Sequence, residues 1–397
     1  MIILSKEQFD SLVEHAKKVL PNEDCGLLSG TILGDRRIVK KIYFLTNTDA
    51  SPEHFSMEPA EQFAAVKDMR SNSLQLLGNF HSHPKSPARP SEEDKRLAFN
   101  TELSYLILSL EAEPSLKSFR FDRKKNIFPE MILTLNLAEK LERLKNFLRG
   151  LGKVAVAFSG GVDSTFLLKV AHDTLGDRAI ALTAASVFVP YRELDTSKKF
   201  CAENGIRQII FDADVLNVEG VNENPVNRCY LCKRALFENF LRLAKDKILV
   251  EGSNTDDASD YRPGMKALAE LNVKSPLRAV GLSKSEIRAL SRAMNLPTWN
   301  KPSMACLASR IPYGEPLTAK KLSQVEAAEE FLLNAGFKQL RVRVHGKIAR
   351  IEVLPEDFPM LLNLREEISA RLKDLGFAYV TLDLQGYRSG SMNVGLQ

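Results

Sequence analysis

Val154-Ala155-Val156-Ala157-Phe158-Ser159-Gly160-Gly161-Val162-Asp163-Ser164 sets the fold class of the larger part of this 397-residue chain. An apolar run, a pair of glycines and a helical pattern predict a buried strand, a tight turn and a helix. We expect the strand over residues 153–158, the helix over 165–175, and a second strand over 179–183. Strand, helix and strand at this spacing predict a parallel, Rossmann-like α/β sheet.

Outward from this stretch, the chain divides into four expected parts. Residues 1–124 combine a helix (6–20) with strands, including 103–110 and 118–121. Lys124-Lys125 is a polar break, and apolar residues at helical spacing predict a linker helix within residues 125–149. Residues 150–315 contain the parallel sheet. We expect residues 316–397 to form a small α+β domain. Its helices are expected over 319–335 and 356–375, and its strands over 338–344, 348–353 and 378–384. The whole is an α/β multidomain protein.

Composition favours a globular protein of a reducing compartment. Hydrophobic residues make up 44% of the chain, charged residues 26%, and the formal charge is +5. No apolar run reaches the ~18 residues of a membrane span, and the N-terminus lacks a signal-peptide core, so we expect a cytoplasmic protein. The cysteine count of five is odd, and Cys25 and Cys201 are expected in the core.

A second motif predicts a zinc site. Leu76-Leu77-Gly78-Asn79-Phe80-His81-Ser82-His83 is an apolar strand that ends in His-x-His, so both imidazoles point the same way. Seven residues separate His83 from Ser91, and Asp94 follows three later. Two histidines, a carboxylate and an open water position form a ligand set of catalytic zinc. The alternative is a pair of exposed loop histidines.

Zinc-assisted hydrolysis also needs a proton acceptor and an oxyanion donor. Glu23 lies between a predicted helix and a strand, and it reaches the site if that strand neighbours the histidine strand. Ser91 is the candidate oxyanion donor.

Glu, then His-Ser-His-Pro, then Ser-x-x-Asp resembles the JAMM (MPN+) metalloprotease motif over the first third of the chain. The resemblance implies a cytidine-deaminase-like α/β domain that binds zinc through His81, His83 and Asp94. It makes Glu23 the general base and acid and Ser91 the transition-state stabiliser. It implies cleavage at the C-terminus of ubiquitin-like proteins, sulfur carriers among them. A metal-binding but inactive relative is the alternative.

The glycine turn after residue 158 suits an anion. Glycines let the backbone approach phosphate oxygens, and helix N–H groups favour negative charge. A tight turn without a ligand is the alternative. The full string Ser-Gly-Gly-x-Asp-Ser, however, resembles the PP-loop of N-type ATP pyrophosphatases. That resemblance implies ATP and Mg²⁺, with Asp163 assisting the magnesium and Ser159, Gly160, Gly161 and Ser164 holding phosphate. The next strand end, at Thr183 and Ala184, is where a Rossmann-like sheet would meet adenine.

Three cysteines remain: Cys229 and Cys232 in a CxxC pair, and Cys306 much later. The residues alone leave three interpretations open. The pair could be a redox CxxC, the set could be structural zinc without an evident fourth ligand, or three thiolates could hold a [4Fe–4S] cluster with one open iron. Arg228, beside the pair, could hold an acidic substrate.

The surroundings of these cysteines resemble the LarE family of sulfur transferases over about residues 137–393. The resemblance is carried by the following strings: Asn224-Pro225-Val226-Asn227-Arg228-Cys229-Tyr230-Leu231-Cys232-Lys233, Glu251-Gly252-Ser253-Asn254-Thr255-Asp256-Asp257, Asp260-Tyr261-Arg262, Lys301-Pro302, the segment from Cys306 to Pro312 that follows Met304-Ala305, Arg341-Val342-Arg343-Val344-His345, and Gly386-Tyr387-Arg388-Ser389-Gly390.

The family resemblance implies that Glu329, Arg341 and Arg343 line the substrate pocket; surface charge is the alternative. Some LarE members have only the last cysteine and sacrifice its sulfur, whereas others have all three and resemble cluster-dependent enzymes. This chain has all three, so sacrificial transfer from Cys306 ranks second. The JAMM part is a departure from the family and puts its usual substrate, a biscarboxylate mononucleotide, in doubt.

The combined expectation is an ATP-dependent sulfur transferase coupled to a JAMM peptidase. The expected partners are a ubiquitin-like sulfur carrier, a small-molecule acceptor carboxylate and a further copy of the chain, with no membrane. A carrier thiocarboxylate could supply the sulfide. The alternatives are tRNA thiolation, for which the charge is only mildly basic, and a non-enzymatic sensor of nucleotide and metal.

Overall fold

The computed structural model describes residues 1–258, 263–302 and 305–388. These residues form two compact units, the first mainly Met1–Glu142 and the second the chain from Arg143 onwards. Several residues of the quoted motifs lie outside the described residues: Asp260, Tyr261, Arg262, Met304, Ser389 and Gly390. No helix in the described part of the chain combines the length and apolar character that a membrane span needs.

A mixed sheet organises the first unit. Its spatial order is β7-β6-β5-β4-β2-β3-β1-β8. The strands are β1 (Ile2–Ile3), β2 (Cys25–Leu33), β3 (Arg36–Leu45), β4 (Gln75–His83), β5 (Ser104–Ser109), β6 (Ser115–Phe121), β7 (Ile127–Glu130) and β8 (Ile132–Leu133).

The strand that carries the two histidines is central in this sheet. β4 pairs in antiparallel fashion with β2 and in parallel with β5, so its backbone is bonded on both sides. Leu77 and Phe80 are fully buried in a core that also contains Leu12, Leu28 and Leu106. The strand that follows Glu23 neighbours the histidine strand, since Cys25 pairs with His81, so the condition set for Glu23 is met.

The helices of the first unit are α1 (Lys6–Lys18), α2 (Pro59–Ser71) and α3 (Glu92–Leu97). Residues 124 and 125 do not separate two domains. They form a turn in which Lys125 has φ +63°, and β7 returns to pair with β6. β8 then pairs with β1, so the sheet extends well beyond residue 124. The expected linker helix is present as α4 (Leu135–Leu151).

The second unit contains the expected parallel sheet. Its order is β11-β10-β9-β12, and all three pairings are parallel. The strands are β9 (Val154–Ala157), β10 (Ala179–Ala185), β11 (Gln208–Asp212) and β12 (Ile248–Val250). The helices are α5 (Val162–Leu175), α6 (Tyr191–Glu203), α7 (Arg228–Ala244), α8 (Pro263–Glu270), α9 (Pro276–Ala279) and α10 (Lys284–Ala293).

The order of these strands locates a crevice. The chain runs from β9 through β10 to β11 on one side, and then returns to place β12 on the other side of β9. The strand order therefore reverses between β9 and β12. Open α/β sheets bind ligands at such a topological switch point.

A smaller sheet of order β13-β14-β15 completes the second unit. Its strands are β13 (Leu340–His345), β14 (Ile348–Val353) and β15 (Tyr379–Leu382), and its helices are α11 (Ala319–Asn334), α12 (Phe358–Asn363) and α13 (Arg365–Asp374). The single helix expected over residues 356–375 is wrong. Pro359 lies in the first turn of α12, where a proline is tolerated because no N–H is needed, and Leu364 separates α12 from α13.

Candidate functional site

The end of β4 brings together the three predicted zinc ligands. The Nε2 atoms of His81 and His83 lie 3.1 Å apart. The carboxylate of Asp94 places Oδ1 3.3 Å from Nε2 of His81 and Oδ2 3.8 Å from Nε2 of His83. Among the described residues, this is the group of three metal-ligating side chains whose ligand atoms all lie within 4.8 Å of one another.

The orientation of the donors fits zinc. The Nδ1 of His83 lies 3.0 Å from the carbonyl oxygen of Pro87. An N–H donated there leaves Nε2 with a lone pair for a metal. Tetrahedral zinc with Zn–N of ~2.0–2.1 Å sets its nitrogen ligands roughly 3.3 Å apart, close to the separation found here. Phe55 stacks on His81 with ring centroids 4.7 Å apart, which holds that imidazole in place.

The charges around the candidate ligands favour an ionised carboxylate at Asp94. Burial alone would raise the pKa of Asp94, but hydrogen bonds from His81 and His83 outweigh it and hold the pKa well below its usual range. Burial would lower the pKa of His83, but Asp94 and the Pro87 carbonyl raise it overall. The buried histidines are therefore matched by an ionised carboxylate.

Ser91 lies beside the ligands but is already engaged. It caps α3: its Oγ accepts from the Asp94 N–H at 3.0 Å and donates to Asp94 Oδ2 at 2.7 Å. The hydroxyl proton thus points at the ligand carboxylate rather than into open space. In this state Ser91 orients Asp94, and acting as an oxyanion donor would require its hydroxyl to rotate away.

Glu23, the candidate general base, lies in the same cleft as the three candidate ligands. It is 5% exposed and lines one cleft of about 580 Å³ together with His81, His83, Ser91 and Asp94. Its N–H donates to Ser51, and the next residue, Asp24, is fixed by the hydroxyl of Ser82 at 2.8 Å. Burial raises the pKa of Glu23 to about 8, with His83 acting in the opposite direction.

The glycine loop in the second unit has the geometry of an anion site. Gly160 has φ +72°, a conformation that favours glycine, and Gly161 is the N-cap of α5 without a side chain to cap the helix. The Oγ atoms of Ser159 and Ser164 lie 3.1 Å apart. Gly252, after β12, packs so closely that a Cβ there would lie 3.0 Å from the Ser164 nitrogen. The loops after β9 and β12 therefore meet.

The carboxylate of Asp163 has one oxygen that a cation could bind. Its Oδ2 accepts from Lys284 Nζ at 2.5 Å, whereas its Oδ1 is buried and has no hydrogen-bond partner within the described residues. Burial raises its pKa, with Lys284 opposing the shift. A buried carboxylate oxygen without a donor fits the magnesium that the motif implies.

Thr183 and Ala184, the expected neighbours of adenine, lie near the end of β10. The hydroxyl of Thr183 donates to the carbonyl of Phe158 at 3.0 Å and accepts from Gln208 Nε2 at 2.8 Å. The side chain therefore ties neighbouring strands together. Ala184 has only its backbone and a methyl group to offer an adenine.

The three cysteines converge in the second unit. Cys229 and Cys232 lie in the first turns of α7, and Cys306 precedes a short 3₁₀ turn, Leu307–Arg310. Burial raises the pKa of Cys232 to about 12, and the charges of Cys306 and Cys229 act in the same direction, as expected for close neighbours. The expectation for the other two cysteines is confirmed, since Cys25 and Cys201 are buried in the core.

The segment from Cys306 to Pro312, called the Cys306 segment below, lies at the carboxyl edge of the parallel sheet. The N–H of Leu307 donates to the carbonyl of Phe188 at 2.9 Å, three residues after the end of β10. The glycine loop follows β9, the parallel neighbour of β10. Since parallel strands end at the same edge, the cysteine segment and the phosphate loop share that edge.

Glu329, which the family resemblance places in a substrate pocket, is buried and pairs with a buried arginine. Arg310 is 0% exposed and donates from Nε and NH2 to the two oxygens of Glu329, each at 2.9 Å. Its NH1 donates to the carbonyls of Ala305 and Cys306 at 2.6 and 3.0 Å. Glu329 also accepts from Val342 N, so this pair anchors the Cys306 segment to α11 and β13.

Arg341 and Arg343 are buried, so the surface-charge alternative is wrong for both. Arg343 pairs with Glu352 at 3.0 Å and donates to the carbonyl of Ser309 at 2.9 Å. Arg341 lies over the ring of Tyr387, 5.2 Å from its centroid. Arg343 therefore contacts the segment after Cys306 directly.

The pair of Arg310 and Glu329 allows a stability prediction. Glu329→Ala is expected to lower the free energy of unfolding by about 3–5 kcal/mol, because it leaves a buried guanidinium without its counter-charge. The only tryptophan of the chain, Trp299, belongs to the second unit, so its fluorescence in urea follows that unit.

The matched control is Glu330→Ala, one residue along α11 and exposed. It should change stability by no more than about 0.5 kcal/mol. Equal stability of the two variants would show that the buried pair contributes little.

Several site residues were not predicted. Lys284 reaches Asp163 across 121 positions, and Lys301 reaches the Gly160 carbonyl at 3.0 Å across 141. Phe55 comes from a loop with no distinguishing pattern. Asn224 and Lys301 were noted only within family strings. Contacts over such separations leave no local signal, because each depends on how loops fold back onto the sheet.

Comparison with known proteins supports both halves. The family model described as "prokaryotic homologs of the JAB domain" matches residues 5–122. A CysO-cysteine peptidase of Mycobacterium tuberculosis is 27% identical over 109 residues, 28% of this chain and 73% of the relative.

Two relatives match a longer stretch. The pyridinium-3,5-bisthiocarboxylic acid mononucleotide synthase of Lactiplantibacillus plantarum is 37% identical over 261 residues, 65% of this chain and 95% of the relative. An uncharacterised protein of Synechocystis sp. is 40% identical over 262 residues, covering 65% of this chain and 98% of the relative.

Proposed function

This chain belongs to the LarE family of sulfur-inserting synthases and carries an N-terminal JAB domain, and from that premise we propose an ATP-dependent sulfur transferase joined to a zinc peptidase. The sulfur would pass through a three-cysteine [4Fe–4S] site. The observation that carries the proposal is the position of the Cys306 segment, at the same sheet edge as the phosphate loop.

The first reaction is the activation of a carboxylate. A carboxylate oxygen of the acceptor attacks the α-phosphorus of ATP, and the bond to the bridging oxygen breaks to release pyrophosphate. Backbone N–H groups at the start of α5, with Ser159 and Ser164, would hold the phosphates. Asp163, with its free buried oxygen, would ligate Mg²⁺. Sulfur then attacks the acyl carbon, and AMP leaves with the original oxygen.

A cluster suits the cysteine set better than a single zinc ion. One zinc with Zn–S of ~2.3 Å needs thiolates roughly 3.8 Å apart. Within the described residues, Cys229, Cys232 and Cys306 do not form a group with sulfur atoms inside 4.8 Å. In a cluster the cysteine sulfur atoms can lie farther apart, because the iron and sulfide atoms of the cluster lie between them. When bound, it would supply sulfur to the activated acyl group and permit repeated turnovers.

The zinc half would act on a ubiquitin-like sulfur carrier. When bound by His81, His83 and Asp94, zinc would supply Lewis-acid chemistry for peptide hydrolysis. Glu23 would take a proton from the attacking water and return it to the leaving amine. The similarity to a peptidase named for CysO-cysteine favours a carrier bearing a C-terminal extension as substrate. Trimming would free the C-terminus that later carries sulfide to Cys229, Cys232 and Cys306.

Metal analysis of separately altered sites tests the proposal. After anaerobic purification, we expect about four irons per chain, together with one zinc. Cys306→Ala should lose the iron and keep the zinc, because the two metals use different residues. His81→Ala should lose the zinc and keep the iron. Zinc alone in the wild-type protein would contradict the cluster, and loss of both metals in either variant would indicate misfolding.

A further inference from the structure

Asn224 fastens the Cys306 segment to the start of α7. It is fully buried and has φ +57°, a left-handed conformation. Its side-chain Nδ2 donates to the carbonyls of Ile311 and Pro312, at 3.2 and 2.6 Å. Its own carbonyl accepts from the N–H of Gly314 at 2.9 Å. One residue thus makes three links across about ninety positions of the chain, two through its side-chain amide and one through its backbone carbonyl.

Arg228 makes the next link. It is the first residue of α7 and only 3% exposed. Its NH1 donates to Asn224 Oδ1 and to the carbonyl of Ala308, the latter at 3.2 Å. The guanidinium carbon lies 5.5 Å from the ring centroid of Tyr313, and NH2 lies 4.0 Å from the sulfur of Cys229.

The charge of Arg228 distinguishes it from its neighbours. An arginine side chain stays protonated in proteins, and a buried charge is costly without a counter-charge. Arg310 has Glu329 and Arg343 has Glu352. The contacts of Arg228 in the described residues are instead two neutral oxygens, an aromatic ring and a thiol. The counter-charge of the Arg228 guanidinium would therefore come from the thiolates of the site cysteines.

We propose that Arg228, supported by Asn224, is a positioning residue that holds Cys306 beside Cys229 and Cys232 and balances the negative charge of the iron-bound thiolates. The inference rests on the cluster assigned under Proposed function. Three thiolates carry more negative charge than a [4Fe–4S] core carries positive charge. The assembled site is therefore anionic, and a fixed buried cation next to it favours assembly.

The test compares Arg228→Gln, Arg228→Lys and Asn224→Ala with the wild-type protein. Each is incubated anaerobically with ferrous iron and sulfide, and then iron per chain, visible absorbance and midpoint potential are measured. Arg228→Gln should bind at least fivefold less iron than wild type, and Arg228→Lys an intermediate amount. In the fraction that loads, Arg228→Gln should have a lower potential than Arg228→Lys, because a nearby cation stabilises the reduced cluster.

The control is Arg242→Gln, an exposed arginine near the end of the same helix, which should load like wild type. Circular dichroism of the iron-free proteins detects misfolding; if Arg228→Gln is unfolded, Arg228→Lys and Asn224→Ala carry the test. Normal loading and potential in a folded Arg228→Gln would overturn the inference and leave the cluster standing. A wild-type protein that takes up no iron would overturn both.

Discussion

Glu23→Gln is expected to reduce zinc-dependent peptide hydrolysis by about 10²- to 10⁴-fold while leaving the zinc content unchanged. Glutamine keeps the shape of the side chain but cannot accept and return a proton. Glu23 lies outside the three-ligand group, so zinc should still bind to His81, His83 and Asp94. The measurement is mass spectrometry of a ubiquitin-like sulfur carrier with a C-terminal extension, combined with zinc analysis.

Two variants complete this experiment. Glu14→Gln makes the same chemical change on the exposed face of α1, where Glu14 forms an ion pair with Lys18, and should leave cleavage unchanged. His81→Ala should lose both zinc and cleavage. Normal activity of a zinc-loaded Glu23→Gln would remove this carboxylate from the chemistry and favour a different base.

The candidate zinc site could be predicted because strand geometry and spacing determine it. His81 and His83 face the same way wherever they lie on a strand. Ser91 and Asp94 follow at a separation that fits a loop and one helical turn. The contribution of Glu23 depended on the pairing of β2 with β4, which could be stated in advance only as a condition. The structure satisfies that condition through the pairing of Cys25 with His81.

The roles of the buried charges could not be predicted in the same way. The pairing of Glu329 with Arg310, across 19 positions, was not among the predictions. Lys284 and Asp163 meet across 121. A charged residue has the same appearance in the sequence whether it faces solvent, substrate or an opposite charge. Packing alone decides among these, because burial makes a counter-charge obligatory.

That distinction affects how the site is engineered. Arg310, Arg343 and Arg228 all touch backbone carbonyls close to Cys306. Loss of activity on substituting any of them would therefore not by itself show that it binds substrate. Thiol geometry, metal content and stability must be measured alongside turnover, because the same guanidinium groups hold the cysteine segment in place.

The source of the transferred sulfur should be decided by Cys229→Ala. If a cluster is required, this variant and Cys306→Ala are both expected to lose sulfur transfer almost completely, because two thiolates no longer hold the cluster. If Cys306 sacrifices its own sulfur, Cys229→Ala should still give up to one product per chain. The assay supplies ATP, Mg²⁺ and sulfide with a pyridinium biscarboxylic acid mononucleotide and counts thiocarboxylate per chain by mass spectrometry.

The mass of the protein after the reaction gives a second and independent answer. Sacrificial transfer removes the elements of hydrogen sulfide from Cys306 and leaves dehydroalanine, whereas cluster-dependent transfer leaves every cysteine intact.

Cys201→Ala is the matched control, since it removes a core thiol and keeps all three site cysteines. Several products per chain in the wild type, with no mass loss, would exclude the sacrificial route. One product per chain, unaffected by Cys229→Ala, would exclude the cluster. ATP turnover with no sulfur product would instead place the failure in sulfur delivery, because activation of a carboxylate at the phosphate loop does not depend on the cysteines.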